Sequence, residues 1–163
     1  MATRDITAGT GEKYRTLAQK LALFWGVAFV LAGVLGFIPG ITSNYDDLKF
    51  AGHDSDAELL GLFQVSILHN IVHLLFGVGI LMARTWESAK NYLLGSGVIY
   101  VVLVLYGILF GGDNGDANFV PVNDLDTYLL HPVLAIGLLL SYFMSRRDRD
   151  TAYDRGAMGT SSV

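Results

Sequence analysis

Two histidines that lie four residues apart have the widest chemical range of any side chains in this 163-residue sequence. His69 and His73 fall within a long apolar run, and at about 100° per helical residue they share one face with Ser66 and Asn70. Imidazoles on one helical face can bind a metal ion, hold a proton or hydrogen-bond a neighbouring helix. Polar side chains inside an apolar span normally face protein or water, so the sequence predicts a buried polar stripe of Ser66, His69, Asn70 and His73.

The first interpretation of the stripe is structural. Its side chains would hydrogen-bond Tyr100 or Tyr106 in the third apolar run and hold helices together, at about 0.6 to 2 kcal/mol per bond. The second interpretation is a metal site, for which His69, His73 and His131 are the candidate ligands. Hydrolysis at such a metal is poorly supported, because Asn70 stands where a His-Glu-x-x-His protease carries its general base.

Two further interpretations involve a haem or a proton. A haem b would need His131 opposite His69 or His73, but the predicted helix starts place His69 and His131 at depths that differ by about 7 Å. In a proton or quinone site, the histidines would relay charge to acids at the outer surface such as Asp124 or Asp126. The sequence identifies no cofactor, and the absence of one is favoured over haem or a metal.

Four apolar segments must position these side chains. The sequence is 52% hydrophobic and only 16% charged, and its charged residues are confined to polar segments between long uncharged runs. Runs of this length can cross about 30 Å of hydrocarbon at about 1.5 Å per helical residue. The sequence therefore predicts an all-α bundle of four transmembrane helices within a membrane domain at 17–145, flanked by polar tails at 1–16 and 146–163. The predicted spans are 17–38, 59–83, 92–110 and 125–144.

Local signals refine two of these spans. Ser55 and Glu58 have the spacing of a capping box and predict that the second span begins directly after them. His69 and His73 would then lie near the middle of that span. Pro132 predicts an irregular outer end of the fourth span, because proline removes a backbone donor from the helix.

Small residues recur every four positions along the first span and predict close helix packing there. They form two rows, Ala18-Ala22-Gly26 and Ala28-Ala32-Gly36-Gly40.

Charge asymmetry predicts the orientation. Lys49 is the only one of the eleven Lys and Arg residues in the two loops that follow spans one and three. By the positive-inside rule both termini are cytoplasmic, which predicts a multi-pass protein of the cell membrane with the lipid bilayer as its principal partner. A homo-oligomer or a subunit of a larger membrane complex is compatible with this reading, whereas a nucleic-acid partner is not, since there is no basic patch.

The run from Leu59 to Phe63 and the run from His69 to Gly77 together resemble a four-span bacterial membrane family, common in actinobacteria and catalogued as domain of unknown function 4383. The resemblance covers roughly Leu17 to Met144, and the His-Asn-x-x-His-Leu-x-x-Gly pattern is its most specific part. Asn123, Asp126 and His131 are similar to a polar cluster at the start of the family's last span, although five residues separate Asp126 from His131 where the family pattern has four. The resemblance implies a four-helix fold and no established activity.

Two functional hypotheses follow. The first is a small accessory or structural membrane protein without enzymatic activity, in which the stripe serves packing, with Tyr100, Tyr106, Asn123, Asp126 and His131 as an additional polar site. The alternative is a redox or proton-coupled membrane protein that uses His69, His73 and His131.

Overall fold

Helices make up most of the part of the chain that the computed structural model describes, which is residues 16–52, 54–110 and 125–146. Within those residues the α-helices are α1 (Leu17–Leu35), α2 (Ile67–Phe76), α3 (Gly79–Met82), α4 (Trp86–Phe110) and α5 (His131–Ser145). A π-helix at Asp126–Leu130 leads directly into α5. Three helical segments of this described part, Leu17–Leu35, Trp86–Phe110 and Asp126–Ser145, are long and apolar enough to cross a membrane.

A small antiparallel sheet precedes α2. Its strands are β1 (Thr42–Ser43), β2 (Glu58–Leu59) and β3 (Phe63–Gln64), in the order β1-β2-β3. Leu60 and Gly61 connect β2 to β3 with φ values of 57° and 67°. A right-handed helix cannot pass through such left-handed residues, so the segment folds back as a hairpin.

The second apolar helix consequently starts later than the sequence predicts. The expectation that it begins at Leu59 under a Ser55 and Glu58 capping box is wrong. Ser55 instead donates its hydroxyl to the Val65 carbonyl at 2.6 Å, and Glu58 pairs within the sheet. Ser66 is the actual N-cap, and its hydroxyl accepts the His69 backbone N–H at 3.1 Å.

The helical segment that follows Ser66 is interrupted halfway by a tighter turn. Gly77 and Val78 form a tight turn between α2 and α3, in which the Val78 N–H donates to the Leu75 carbonyl. The Tyr92 hydroxyl of α4 donates to the Phe76 carbonyl next to this turn at 2.9 Å. The combined segment Ile67–Met82 is apolar but shorter than the three long helices.

A π-turn opens the last helix, in the place where Pro132 predicts irregularity. The His131 N–H donates to the Asp126 carbonyl, five residues back, rather than four as in an α-helix. The wider turn holds about 4.4 residues, so a five-residue separation brings Asp126 and His131 to nearly the same face. Asp126, Thr127 and His131 are accordingly all buried.

Candidate functional site

His69 and His73 form a hydrogen-bonded pair of imidazoles within α2. Their Nε2 atoms lie 3.0 Å apart, and the two rings are nearly parallel at 11° with centroids 4.8 Å apart. Both side chains are buried. The four-residue spacing on one helix produces this stacking directly, because such residues lie one above the other.

His131 joins the pair from the opposite side of the bundle. Its ring centroid lies 6.3 Å from that of His69 and 5.6 Å from that of Tyr100 on α4. The depth offset of about 7 Å predicted for His69 and His131 assumed that the second helix begins at Leu59. That premise is wrong, because α2 begins at Ile67 and His69 lies in its first turn.

The three histidines enclose a cavity of about 120 Å³. We call it the histidine cavity, and its lining consists of His69, Val72, His73, Tyr100, Leu103, Tyr106 and His131. Both tyrosines that the sequence analysis names as polar partners are thus part of one site with all three histidines.

Two buried ring nitrogens of these histidines have no hydrogen-bond partner among the described protein atoms. They are Nδ1 of His73 and Nδ1 of His131, whose side chains are only 9% and 3% exposed. Leaving a buried polar group unsatisfied costs about 1 to 3 kcal/mol. The two imidazoles therefore keep an unused hydrogen-bonding capacity inside the bundle.

Asn70 points away from the histidine cavity, although the sequence places it in the same stripe. It is fully buried against α1, where a Cβ at Gly36 would overlap its side-chain amide. Its backbone carbonyl lies 2.7 Å from the Cβ position of Gly33. The predicted stripe therefore divides into Ser66 as a helix cap, Asn70 against α1, and the two histidines toward α4 and α5.

Three aromatic rings pack together next to the histidine pair. Phe29, Phe76 and Tyr100 lie with their ring centroids 5.2 to 5.5 Å from one another, and Phe29 also lies 5.7 Å from the His73 ring. Sequence reasoning did not single out Phe29. Its position three residues after Gly26 and four before Gly33, on the small-residue face of α1, is the signal that could have identified it.

Asp126 lies five residues before His131, at the start of the π-helix. The expectation that it is an outer-surface acid is wrong, since its side chain is fully buried. The π-turn explains the burial because it rotates Asp126 toward the core. Asn123 and Asp124, also named in the sequence analysis, lie outside the described residues.

The arrangement does not match a metal site or a haem site. No group of three or more His, Cys, Asp or Glu side chains within residues 16–52, 54–110 and 125–146 could hold a metal ion. The histidine cavity, at about 120 Å³, is also far below the 300 to 1,000 Å³ of sites that hold larger organic ligands. We therefore assign no chemical step to either group.

Comparison with known families identifies a domain without an assigned function. The family described as Domain of unknown function (DUF4383) matches residues 19–144. Because the match covers most of the sequence, the chain belongs to that family. No curated protein and no solved structure matches the chain.

Proposed function

We propose that this chain is a four-span protein of the cell membrane with both termini in the cytoplasm, and that its histidine pair takes up and releases a proton inside the bundle. The segment Ile67–Met82 is the fourth crossing in this account. The scarcity of Lys and Arg between residues 41 and 66, where Lys49 stands alone, supports an external position for the small sheet.

The observation that carries the proton-site proposal is the 3.0 Å bond between His69 Nε2 and His73 Nε2. An N–H···N bond between two neutral imidazoles requires one ring to donate and the other to accept. The donating ring then keeps its Nδ1 free of hydrogen and can accept a proton there. The shared bond survives that protonation, so the charge is divided between two rings.

The surroundings of the pair supply groups that can support an added charge. Tyr100 and Tyr106 of α4 and His131 of α5 line the same cavity as the pair, and the uncharged Phe29 of α1 contacts the His73 ring. Asp126 is one π-turn from His131 and is the nearest acid along that helix. A histidine cluster beside a buried carboxyl is a known arrangement in intramembrane proton relays.

The alternative hypothesis is an accessory or structural membrane component in which these histidines only hold helices together. The bond between His69 and His73 joins two residues of one helix, so it ties no helices to each other. Interhelical bonds occur elsewhere. One runs from Trp25 Nε1 to Ser141 Oγ at 3.0 Å, and another from the Tyr92 hydroxyl to the Phe76 carbonyl. The Nε2–Nε2 bond itself therefore does not hold helices together, which leaves it free for a chemical role.

A differential acid titration tests the proposal. Purified wild-type protein and the His69→Leu, His73→Leu double variant are titrated between pH 8 and 4 in the same detergent. The wild type should take up about one more proton per chain, because a coupled pair titrates as a unit. The control Asn70→Leu, which changes a buried polar residue of the same helix, should match the wild type. Identical curves for wild type and double variant would support the structural alternative.

A further inference from the structure

An apolar groove runs along the outside of the bundle between the α2–α3 segment and α4. We call it the lateral groove; it has a volume of about 290 Å³, and its walls include Leu75, Phe76 and Val78 on one side and Tyr92 and Ile99 on the other. Leu75 and Val78 are 67% and 45% exposed. In a membrane-spanning bundle, exposed apolar surface of this kind faces lipid. The groove can therefore accept a hydrocarbon chain from the bilayer.

Two hydrogen bonds join the walls of the lateral groove to each other. The Tyr92 hydroxyl of α4 donates to the Phe76 carbonyl at 2.9 Å, and the Ser88 hydroxyl, one turn earlier on α4, donates to the Met82 carbonyl at 2.6 Å. Gly79 lies so close to Tyr92 that a Cβ at Gly79 would overlap the tyrosine ring. The groove is thus preformed, and a bound chain does not have to order its walls.

The lateral groove ends at the short turn that joins its two walls, and this turn carries a positive charge. The α2–α3 segment ends at Met82 and α4 begins at Trp86, and the exposed Arg84 lies between them. Glu87 is the only acid within 16–20, 82–90 and 142–146, the described residues at this end of the bundle. It lies about 140° around α4 from Tyr92 and so points away from the groove.

The other basic groups described at this end lie elsewhere. The Lys90 ammonium is 4.4 Å from the centroid of the Trp86 ring, and the Arg146 guanidinium is 6.0 Å from the centroid of the Tyr142 ring. Lys20 belongs to the outer face of α1. The chain topology therefore places one cation, that of Arg84, at the end of the lateral groove.

We propose that the lateral groove binds an anionic phospholipid, with one acyl chain along the groove and the phosphate beside Arg84. A guanidinium can donate two parallel hydrogen bonds to a phosphate, and basic residues at the cytoplasmic ends of membrane helices recognise acidic headgroups. In the orientation proposed above, Arg84 lies at the cytoplasmic surface. The inference rests on the proposed membrane position of the chain and does not depend on the proton-binding pair.

The test compares two lipids with the same chains. Dioleoyl phosphatidylglycerol is anionic and dioleoyl phosphatidylcholine has no net charge, and each is added to the purified protein in detergent. A ligand that binds only the native state raises the melting temperature in a saturable way. Phosphatidylglycerol should do so at concentrations about fivefold lower than phosphatidylcholine, the difference expected from one basic contact. Equal potency of the two lipids, or no saturable stabilisation by phosphatidylglycerol, would overturn the proposal.

A pair of charge variants locates the phosphate. Arg84→Gln should remove the advantage of phosphatidylglycerol over phosphatidylcholine, whereas Arg146→Gln, at an exposed position of the same end, should preserve it. Both variants remove one positive charge, so they change the overall charge of this surface equally. Equal effects of the two variants would overturn the assignment to Arg84.

A pair of tryptophan variants locates the acyl chain. Val78→Trp fills the lateral groove and should abolish the saturable stabilisation, whereas Ile136→Trp, at a 58% exposed position on α5, should leave it unchanged. If Val78→Trp does not fold, Leu75→Trp on the same wall takes its place. Saturable stabilisation that survives the tryptophan in the groove would overturn the proposal. The acid titration described above contains no added phospholipid, and cysteine labelling in intact cells reads the membrane position without it, so failure of each proposal is visible separately.

Discussion

His69 and His73 cannot both carry their proton on Nε2, because those two atoms share one hydrogen bond of 3.0 Å. In the neutral pair, one ring holds its hydrogen on Nε2 and the other holds it on Nδ1. The four-residue spacing and the parallel stacking of the rings bring the two Nε2 atoms together and so require opposite tautomers. One ring of the pair is therefore the hydrogen-bond donor and the other the acceptor, and uptake and release of a proton can exchange these two roles.

Tyr92 provides a residue-level test of the packing around the site. Its hydroxyl donates to the Phe76 carbonyl, so Tyr92→Phe should lower the free energy of unfolding by about 0.5 to 1.5 kcal/mol. Tyr128→Phe is the matched control, since Tyr128 is 65% exposed, and it should fall within about 0.5 kcal/mol of the wild type. Denaturant titration in detergent measures both, and equal stabilities of the two variants would show that the Tyr92 bond has no net value.

The contacts of the polar stripe are beyond what the sequence predicts. Ser66, His69, Asn70 and His73 are all buried, but they face different neighbours. Spacing along one helix does not reveal which helix faces each side chain, so the separation of Asn70 from the histidines was not predictable. The contribution of Phe29 was missed for the same reason, since it depends on how α1 crosses α2.

At the scale of elements, the start of α2 is where sequence and structure differ most. Ser55 and Glu58 have the spacing of a capping box, and so have Thr16 and Gln19, which do form one at the start of α1. Local spacing cannot tell which of the two pairs starts a helix. After Ser55 and Glu58 the chain turns back at Leu60 and Gly61, whose left-handed conformations prevent a helix there. Tertiary contacts such as the bond from Ser55 to Val65 stabilise this turned-back segment.

The small residues of α1 were predicted in two rows, and only one row packs closely along its whole length. Ala18 and Ala22 are fully buried, and Gly26 lies against the backbone of α3. In the other row Gly36 contacts Asn70, whereas a Cβ at Gly40 would meet no atom within 4 Å. The four-residue period identifies the helix faces that could pack closely, but the position of the neighbouring helix determines which face does so.

Gly26 should therefore be intolerant of a side chain. A Cβ there would lie 2.6 Å from the Ile80 backbone nitrogen, and backbone cannot move aside as a flexible side chain can. Gly26→Ala should destabilise the protein by about 1 to 3 kcal/mol through overpacking. Gly95→Ala on α4, where a Cβ meets nothing within 4 Å, should be neutral or stabilising by up to about 1 kcal/mol. A neutral Gly26→Ala in the same thermal or denaturant assay would contradict the close approach of α1 and α3.

For the whole molecule, the histidine cavity lies toward the end of the bundle that carries the small sheet. His69 is in the first turn of α2. The sequence had instead predicted a position near the middle of a long span. The site is consequently nearer to one membrane surface than to the other. In the orientation proposed from the charge distribution, that surface is the external one.

Cysteine labelling tests the orientation, because the chain has no cysteine of its own. Asp46→Cys and Glu87→Cys introduce single thiols at exposed positions next to opposite ends of the bundle. In intact cells a membrane-impermeant maleimide should label Asp46→Cys and should reach Glu87→Cys only after the cells are opened. The reverse pattern would invert the topology, and labelling of both in intact cells would rule out a membrane crossing between them.

The central claim is that His69 and His73 act as one proton-binding unit, and nitrogen-15 NMR of histidine-labelled protein tests it most directly. Spectra are recorded between pH 8 and 4, with His73→Leu used to assign the pair. The account predicts that the ring nitrogens of His69 and His73 shift together with a single midpoint, because the added proton is shared through their hydrogen bond. Ring nitrogens that keep neutral-imidazole shifts throughout, or that titrate independently of each other, would contradict it.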